Sequence, residues 1–383
     1  MKFSIVTPSF NQGRFITDTI ESVLSQAGPF EIEYFVMDGG STDETVEILE
    51  QYDKKLRGGE YPIACKGVEF QWTSGPDGGQ SDAINKGLRL ATGDYCSYIN
   101  SDDTFFPGAF AAIGGTFESD PAADFVFGDG DVIDESGNLQ WVWLSRPYDH
   151  KVMTGYHFLW NEFTNYIMQQ STFWRRNVVD RIGYFDETMH YAMDVEYWIR
   201  AGHSNLKLVH LPVKIGKFRM IQGTKSLSSP TVFWGDQLEV FRRYRPVGQF
   251  GKFFSFFVFN LARHHDLHFS EAASEAIDSC ERWKSLSPDQ WDALRTQIKK
   301  GLMHARLRTA RQLLKTGRRS EAVLSYRRAL ALNPFCAVAG PGAALTGSLL
   351  MGNRVTSIAE RAIGRAISQY RRRRFDYRYT QKN

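Results

Sequence analysis

Over the first hundred positions the chain alternates between two hydrophobic periods. KFSIVTPSF (2–10), EIEYFVMDGG (31–40), VEFQWTSG (68–75) and DYCSYIN (94–100) are short β-rich runs. Between them, Gly13–Gln26 sets Phe15, Ile16, Ile20, Val23 and Leu24 at helical spacing. A second helix opens at Ser41-Thr42-Asp43-Glu44, where the serine and the glutamate three residues on form a capping-box pattern, and a third covers Gln80–Ala91. Strands alternating with helices predict βαβ units, and hence a mostly parallel sheet covered on both faces. Further on, DFVFGDGDVID and LQWVWLS flank the turn Glu135–Asn138 and predict a hairpin. QQSTFWRR reads as a strand, HYAMDVEYWIRAG as a helix, and LKLVHLPVKIGKFRM closes the β-containing part. Beyond about residue 230 the pattern is helical, and residues 310–334 look like one tetratricopeptide-type helix pair.

In sheets of this kind ligands bind beyond the carboxyl ends of the strands. Those ends are Thr7–Asn11, Asp38-Gly39-Gly40, Ser74–Gly79 and Asn100–Asp103, all polar or glycine-rich. One crevice would collect them. Adjacent acids ending an apolar strand are costly to bury unless something compensates their charge. A hard cation such as Mg²⁺ takes one or two protein carboxylates plus substrate phosphates, so Asp102, with Asp103 behind it, reads as the ligand of a metal on a nucleotide diphosphate. The alternatives are a cap for a helix starting near Pro107, or a polar loop. Asp194 sits among Met193, Val195, Tyr197, Trp198 and Ile199. An apolar setting of this kind can raise a carboxylate towards the range of a general base. The alternatives are a helix N-terminal acid favoured by the macrodipole, or a partner for Arg200.

Composition narrows the class. The 383 residues are 42% hydrophobic and 14% aromatic, as in a folded protein. The four cysteines (Cys65, Cys96, Cys280, Cys336) are scattered without C-x-x-C spacing, which argues against a zinc site or a disulfide framework and fits a reducing compartment. The N-terminus reads as a strand rather than a signal peptide, and no apolar run reaches membrane-spanning length. The net charge of +3 divides unevenly. From Lys300 onward there are 18 Lys/Arg against three acids, so a basic tail of +15 follows a body of −12. Such a tail suits an anionic partner.

VTPSFNQGRFITDTIESVLSQ, YFVMDGGSTDETVEIL, DAINKGLRLATGDYCSYINSDD, QQSTFWRR and YAMDVEYWIR, in that order over about residues 1–220, resemble the family 2 inverting glycosyltransferases of the GT-A fold. The resemblance implies a Rossmann-like, mixed but mostly parallel sheet with flanking helices, followed here by an α-helical region. It implies transfer of a sugar from a nucleotide-diphosphate donor to an acceptor hydroxyl, in one displacement with inversion, assisted by Mg²⁺ or Mn²⁺. Position by position, Thr7, Pro8, Ser9, Phe10 and Asn11 would contact the nucleotide, with Phe10 near the base. Asp38 would accept from the base ring, with Gly39 beside it, and Asp77, Asp82 and Asn85 would line the donor site. Asn100, Ser101 and Asp102 stand at the family's D-x-D, making Asp102 the metal ligand and Asp194 the base. Asn100 departs from the pattern: it can bond a ribose but brings no charge, so the diphosphate would have to complete the metal site. Trp160, Gln169, Gln170, Trp174 and His190 would form the acceptor side. The acceptor implied is a surface polysaccharide or lipid-linked glycan. The alternative is a catalytically degenerate nucleotide-sugar-binding scaffold that docks a partner through its helical C-terminal region.

The later half carries no catalytic motif. Phe250, Phe253, Phe254 and Phe257 line one helix face beside Arg242, Arg243, Arg245 and Lys252. That face either packs on the catalytic domain or lies in an anionic membrane interface, where Arg371–Arg374 would add roughly 1 kcal/mol per basic residue. The expected division is a catalytic domain over 1–225, a helical extension over 226–300, a helical region with the tetratricopeptide-like pair over 301–370, and a basic tail over 371–383. The expected location is cytoplasmic, peripheral at the inner face of the plasma membrane. The C-terminal helices are the expected surface for a protein partner or self-association. Nucleic-acid binding is disfavoured, because the arginine tail lacks an interleaved aromatic platform.

Overall fold

A computed structural model describes residues 1–154, 166–221, 236, 239–240, 242–244, 288–334 and 345. Its contacts divide the chain into two units, Met1–Arg245 and Pro246–Asn383. In chain order the first unit runs β1 (Lys2–Ser9), α1 (Gly13–Leu24), β2 (Glu31–Asp38), α2 (Thr45–Arg57), β3 (Gly67–Ser74), α3 (Gln80–Leu90), β4 (Tyr95–Tyr98) and β5 (Thr104–Phe105). It continues with α4 (Ala109–Ser119), β6 (Phe125–Ile133), β7 (Leu139–Trp143), α5 (His150–Met153), β8 (Thr172–Arg175), α6 (Val178–Ile182), α7 (Met193–His203) and β9 (Leu208–Arg219).

All nine strands join one sheet, ordered β3-β2-β1-β4-β8-β6-β9-β5, with β7 paired to β6 as the predicted hairpin. The first four strands are parallel. Antiparallel β8 then separates them from the parallel pair β6 and β9. This mixed sheet with flanking helices is the GT-A arrangement expected above. Alternation decides which side chains go where. Phe3, Ile5, Ile32, Tyr34 and Val36 pack against Ile16, Ile20 and Val23 of α1, Leu49 of α2 and Phe110 of α4. On the opposite face α3 lies so close to β1 that a Cβ at Gly87 would sit 2.5 Å from Val6. Trp174 of β8 packs there with Phe185, Tyr197 and Trp198.

β9 keeps its pairing with β6 by skipping Pro212 and Val213: the register passes from Gly128↔Leu211 to Asp129↔Lys214. Proline has no N–H to give a ladder, so a bulge belongs there. The capping box does not form. α2 starts at Thr45 with no side-chain cap, and the Ser41 hydroxyl bonds Asp38 instead. The Ser41 oxygen, which a cap would offer to a backbone N–H of α2, accepts Asn11 N instead.

Glu33 anchors the opposite end of the sheet. It is buried and accepts from Ser4 Oγ (2.6 Å), Thr92 N (2.9 Å), Gly93 N (3.1 Å), the Thr92 hydroxyl and the Lys2 ammonium. Burial alone would push its carboxyl up, but the bonds from Lys2, Ser4 and Thr92 outweigh it and hold the carboxyl down at about 2. Its stabilisation is therefore complete above the unfolded value of 4.5 and decays as pH falls towards 2. Glu33→Ala orphans these donors and should cost about 3 kcal/mol in urea unfolding at pH 7. The deficit should shrink when unfolding is repeated near pH 3.

In the second unit, α8 (Pro288–Lys315) turns at Gly317 (φ 79°) into α9 (Arg319–Leu332). Met303, Leu307, Ala310, Tyr326, Ala329 and Leu345 form a small core. A helix pair is present where one was predicted, with a first helix of 28 residues rather than one beginning near 310. The phenylalanine stripe and Arg371–Arg374 lie outside the described residues. No helix among the described residues is long and apolar enough to cross a membrane.

Candidate functional site

Parallel pairing puts the carboxyl ends of β1, β2, β3 and β4 along one edge. Ser9 stands opposite Asp38, Asp38 opposite Ser74, and Val6 opposite Tyr98. With strands about 4.8 Å apart, the ends of β2 and β4 lie about 10 Å apart across β1. A nucleotide diphosphate is long enough to span that gap.

At the β2 end Asp38 is buried and held by Gly40 N (3.1 Å), Ser41 N (2.9 Å) and Ser74 Oγ (2.6 Å) on Oδ2, with the Ser41 hydroxyl on Oδ1. Oδ1, which takes a single hydrogen bond, retains an unused lone pair. The adjoining loop is fixed by Asn11, which sits at φ 52°, a left-handed position asparagine tolerates. Asn11 accepts Thr42 N at 2.8 Å and gives its own N–H to Ser41 Oγ at 2.7 Å. Phe10, between these anchors, is 60% exposed. The Ser9 hydroxyl is buried with no hydrogen-bond partner among the described residues. Thr7 is buried further back, its hydroxyl bonded to Tyr34 at 3.0 Å. Pro8 continues β1 between them.

The β3–α3 loop closes over this end. Asp77 lies against Gly39, where a Cβ would come within 3.1 Å of its Oδ2, and it takes the Gly79 N–H at 2.8 Å. Asp82 braces the same loop through Gly78 N (2.8 Å) and Lys86 (2.9 Å). Asn85, expected in the donor site, is buried and spends its amide on Phe185 N, Phe185 O and Glu187. It fastens the segment before α7 instead.

At the β4 end the chain turns through Asn100–Asp103. The turn is pinned by Thr19 Oγ1 to the Asp103 carbonyl (2.7 Å) and by the Arg219 guanidinium. Arg219, the last residue of β9, is buried. It bonds the carbonyls of Asp102 (2.8 Å) and Glu135 (3.0 Å) and pairs with Asp18 (2.8 Å). Asp103 is fully buried and points away from the cleft, accepting Arg219 N (2.8 Å), Gln170 Nε2 (2.7 Å) and Asn100 Nδ2 (3.1 Å). Burial, and then the charge of Asp102, push its carboxyl well up.

Asp102 differs. It is half-buried, and among the described residues its carboxyl takes no hydrogen bond beyond its own backbone N–H. Burial pushes it up to about 6 against the pull of Arg219. It caps nothing, since α4 begins after Gly108. A half-buried carboxylate so short of donors is one that a cation would relieve. No cluster of three or more metal-ligating side chains occurs among the described residues. The residues therefore fit a metal held by one carboxylate, with the diphosphate supplying other ligands.

Asp194 lies in the first turn of α7, its Oδ1 accepting Val195 N at 2.7 Å. Arg200 pairs with Glu196 instead (2.7 Å). A short relay ties this turn to the cleft. Ser81 bonds Met189 O (3.2 Å) and Met193 Sδ (2.7 Å), and its neighbour Gln80 donates to Asn100 Oδ1 at 2.7 Å. The buried Tyr98 phenol is raised well above its ordinary value by burial and then by the charges of Asp194 and Asp103. Both acids thus act on one residue beneath the β4 end.

The expected acceptor side is largely redistributed. Trp174 is wholly buried among aromatic rings and offers no face to a sugar. Gln169 and Gln170 are buried beneath the turn, donating to the Tyr98 carbonyl (2.8 Å) and to Asp103, because buried amides must find acceptors. Trp160 lies outside the described residues, and His190 is exposed on the segment leading to Asp194. Sequence reasoning missed Gln80 and Arg219. A lone arginine ending KFRM carries no spacing signal.

Comparison with known proteins bears on the family. The model of "Glycosyl transferase family 2" matches residues 4–185. A "PGL/p-HBAD biosynthesis glycosyltransferase" of Mycobacterium bovis (strain BCG / Pasteur 1173P2) is 30% identical over 210 residues, 54% of this chain and 72% of that protein. The "poly(ribitol-phosphate) beta-N-acetylglucosaminyltransferase TarS" of Staphylococcus aureus (strain Mu50 / ATCC 700699) is 34% identical over 104 residues, 27% of this chain and 16% of that one. A crystal structure of S. aureus TarS 1–349 in complex with UDP-GlcNAc covers 91% of both chains at 15% identity and a TM-score of 0.49, a likeness too loose to argue from.

Proposed function

Because this chain belongs to glycosyl transferase family 2, we propose that the cleft at the ends of β1–β4 binds a nucleotide-diphosphate sugar. In this reading the enzyme passes the sugar, with inversion, to an acceptor hydroxyl. The observation that carries the reading is Asp102 at the β4 end of the cleft, a carboxylate short of donors, on the turn just past Tyr98, whose phenol also feels the charge of Asp194.

Phe10 and Asp38 seat the base, and the Asn100–Asp102 turn faces the diphosphate. Mg²⁺ or Mn²⁺ held by Asp102 and the diphosphate would supply neutralisation of the charge that develops on the leaving phosphate. Asp194 accepts the proton of the attacking hydroxyl as its oxygen bonds to the anomeric carbon. The bond from that carbon to the phosphate oxygen breaks on the opposite face, and the nucleotide diphosphate leaves. The acceptor in this reading is a hydroxyl of a glycan or polymer, as the staphylococcal relative's name gives poly(ribitol-phosphate) for that protein.

A thermal-shift screen of UDP-, GDP- and TDP-sugars, with and without Mn²⁺, tests this directly. One nucleotide class should raise the melting temperature at millimolar ligand, and more so with Mn²⁺, because a ligand stabilises with the logarithm of its excess over Kd. No shift with any donor would overturn the reading.

A further inference from the structure

The D-x-D position carries an amide where an acid is expected, and the structure gives that amide a specific partner. Asn100 Nδ2 donates to Asp103 Oδ2 at 3.1 Å and, at the longer 3.5 Å, to Gln169 Oε1, while Asn100 Oδ1 accepts Gln80 Nε2 at 2.7 Å. Asp103 is the hub behind the turn, with Arg219 N on its Oδ1 and Gln170 Nε2 sharing its Oδ2.

We propose that Asp103 is a positioning residue of the donor site, and that Asn100 and Asp103 act as one interchangeable amide–carboxylate pair. The carboxyl group missing from the first D-x-D position stands three residues further on, behind the turn. This rests on the reading of the Asn100–Asp102 turn as the diphosphate edge of the donor cleft.

The chemistry of the pair makes its members depend on each other. A carboxylate at position 100 would set an acceptor oxygen against Asp103 Oδ2 with no hydrogen between them, beside the charge of Asp102. Gln80 would remain satisfied, since either oxygen can accept its N–H. Exchanging both residues repairs the contact. An amide at position 103 keeps an oxygen for the Arg219 N–H and turns its NH₂ towards the carboxylate at position 100. Gln170 follows by rotating its own amide, presenting Oε1 instead of Nε2. The net charge of the site is then unchanged, and Asp102 keeps its place between Ser101 and the Arg219 bracket.

The test compares the full-length protein with Asn100→Asp, Asp103→Asn and the double exchange. Melting temperature without ligand is read first, then affinity for UDP, GDP and TDP with Mn²⁺. Asn100→Asp should lower the melting temperature by roughly 5 °C, and each single change should weaken nucleotide binding about tenfold, as expected for coupled neighbours. The double exchange should melt within about 2 °C of wild type and bind within about threefold. The pair is refuted if Asn100→Asp melts at or above wild type, or if the double exchange is as damaged as the two singles combined. If a single variant does not fold, a folded double exchange still supports the pair and an unfolded one refutes it. Recovered melting without recovered affinity would refute the positioning role. If the wild type binds none of the three nucleotides, the donor-cleft reading fails, while the melting cycle still decides the pair.

Discussion

Asp194→Asn should lower the rate of sugar transfer about 1,000-fold while leaving donor binding intact. A general base contributes roughly 10²–10⁴ to such a step, and an amide cannot take the proton. The variant keeps the shape of the side chain, and its Oδ1 can still accept Val195 N, so α7 should start where it does now. The other bonds of that segment, Asn85 to Phe185 and Ser81 to Met189, do not involve Asp194. Donor affinity should stay within about twofold of wild type. Turnover within tenfold of wild type, measured with saturating donor and acceptor, would remove Asp194 from the chemistry.

Asp102→Asn should make the ligand-free protein more stable and at the same time end metal-assisted donor binding. Burial holds the Asp102 carboxyl at about 6, above its ordinary 3.8. A raised carboxyl means that the ionised form is disfavoured in the fold, so at neutral pH it subtracts from stability. Replacing it should therefore add about 2 kcal/mol at pH 7.5. The advantage should fade as pH falls from 6 towards 4, where the wild-type group protonates as well. Over the same exchange, nucleotide affinity in Mn²⁺ should fall at least about a hundredfold, and affinity in EDTA should hardly change. Opposite signs in the two assays would mark a carboxylate kept for binding at a cost to folding.

Local pattern carried much of the fold. Ile16, Ile20 and Val23 fixed α1 because a helical stripe requires that spacing whatever the rest of the chain does, and the alternation of strands and helices required a parallel core. The cleft followed from topology, since parallel strands bring their carboxyl ends to one edge. Contacts between distant segments were not legible. Arg219 reaches Asp102 only because β9 pairs with β6 and β5, in a register that depends on the bulge at Pro212. Ser41 looked like a cap because its spacing to Glu44 is local, whereas its actual acceptor, Asp38, is positioned by the strand before it. Trp174 and Gln170 follow a similar logic. Aromatic and amide residues near a site suit sugar binding and core filling equally well, and only burial distinguishes the two.

The most direct test places the metal and the nucleotide within the fold. In a protein with ¹³C-labelled methionine methyls, adding Mn²⁺ together with the bound nucleotide diphosphate should broaden Met37, beside Asp38, and Met193, beside Asp194. Met1, at the far end of β1 and about 25 Å from Ser9, should stay sharp. Mn²⁺ alone should do much less. Broadening of Met1 before Met37 and Met193, or equal broadening of all three, would put the ion outside the cleft and contradict the account.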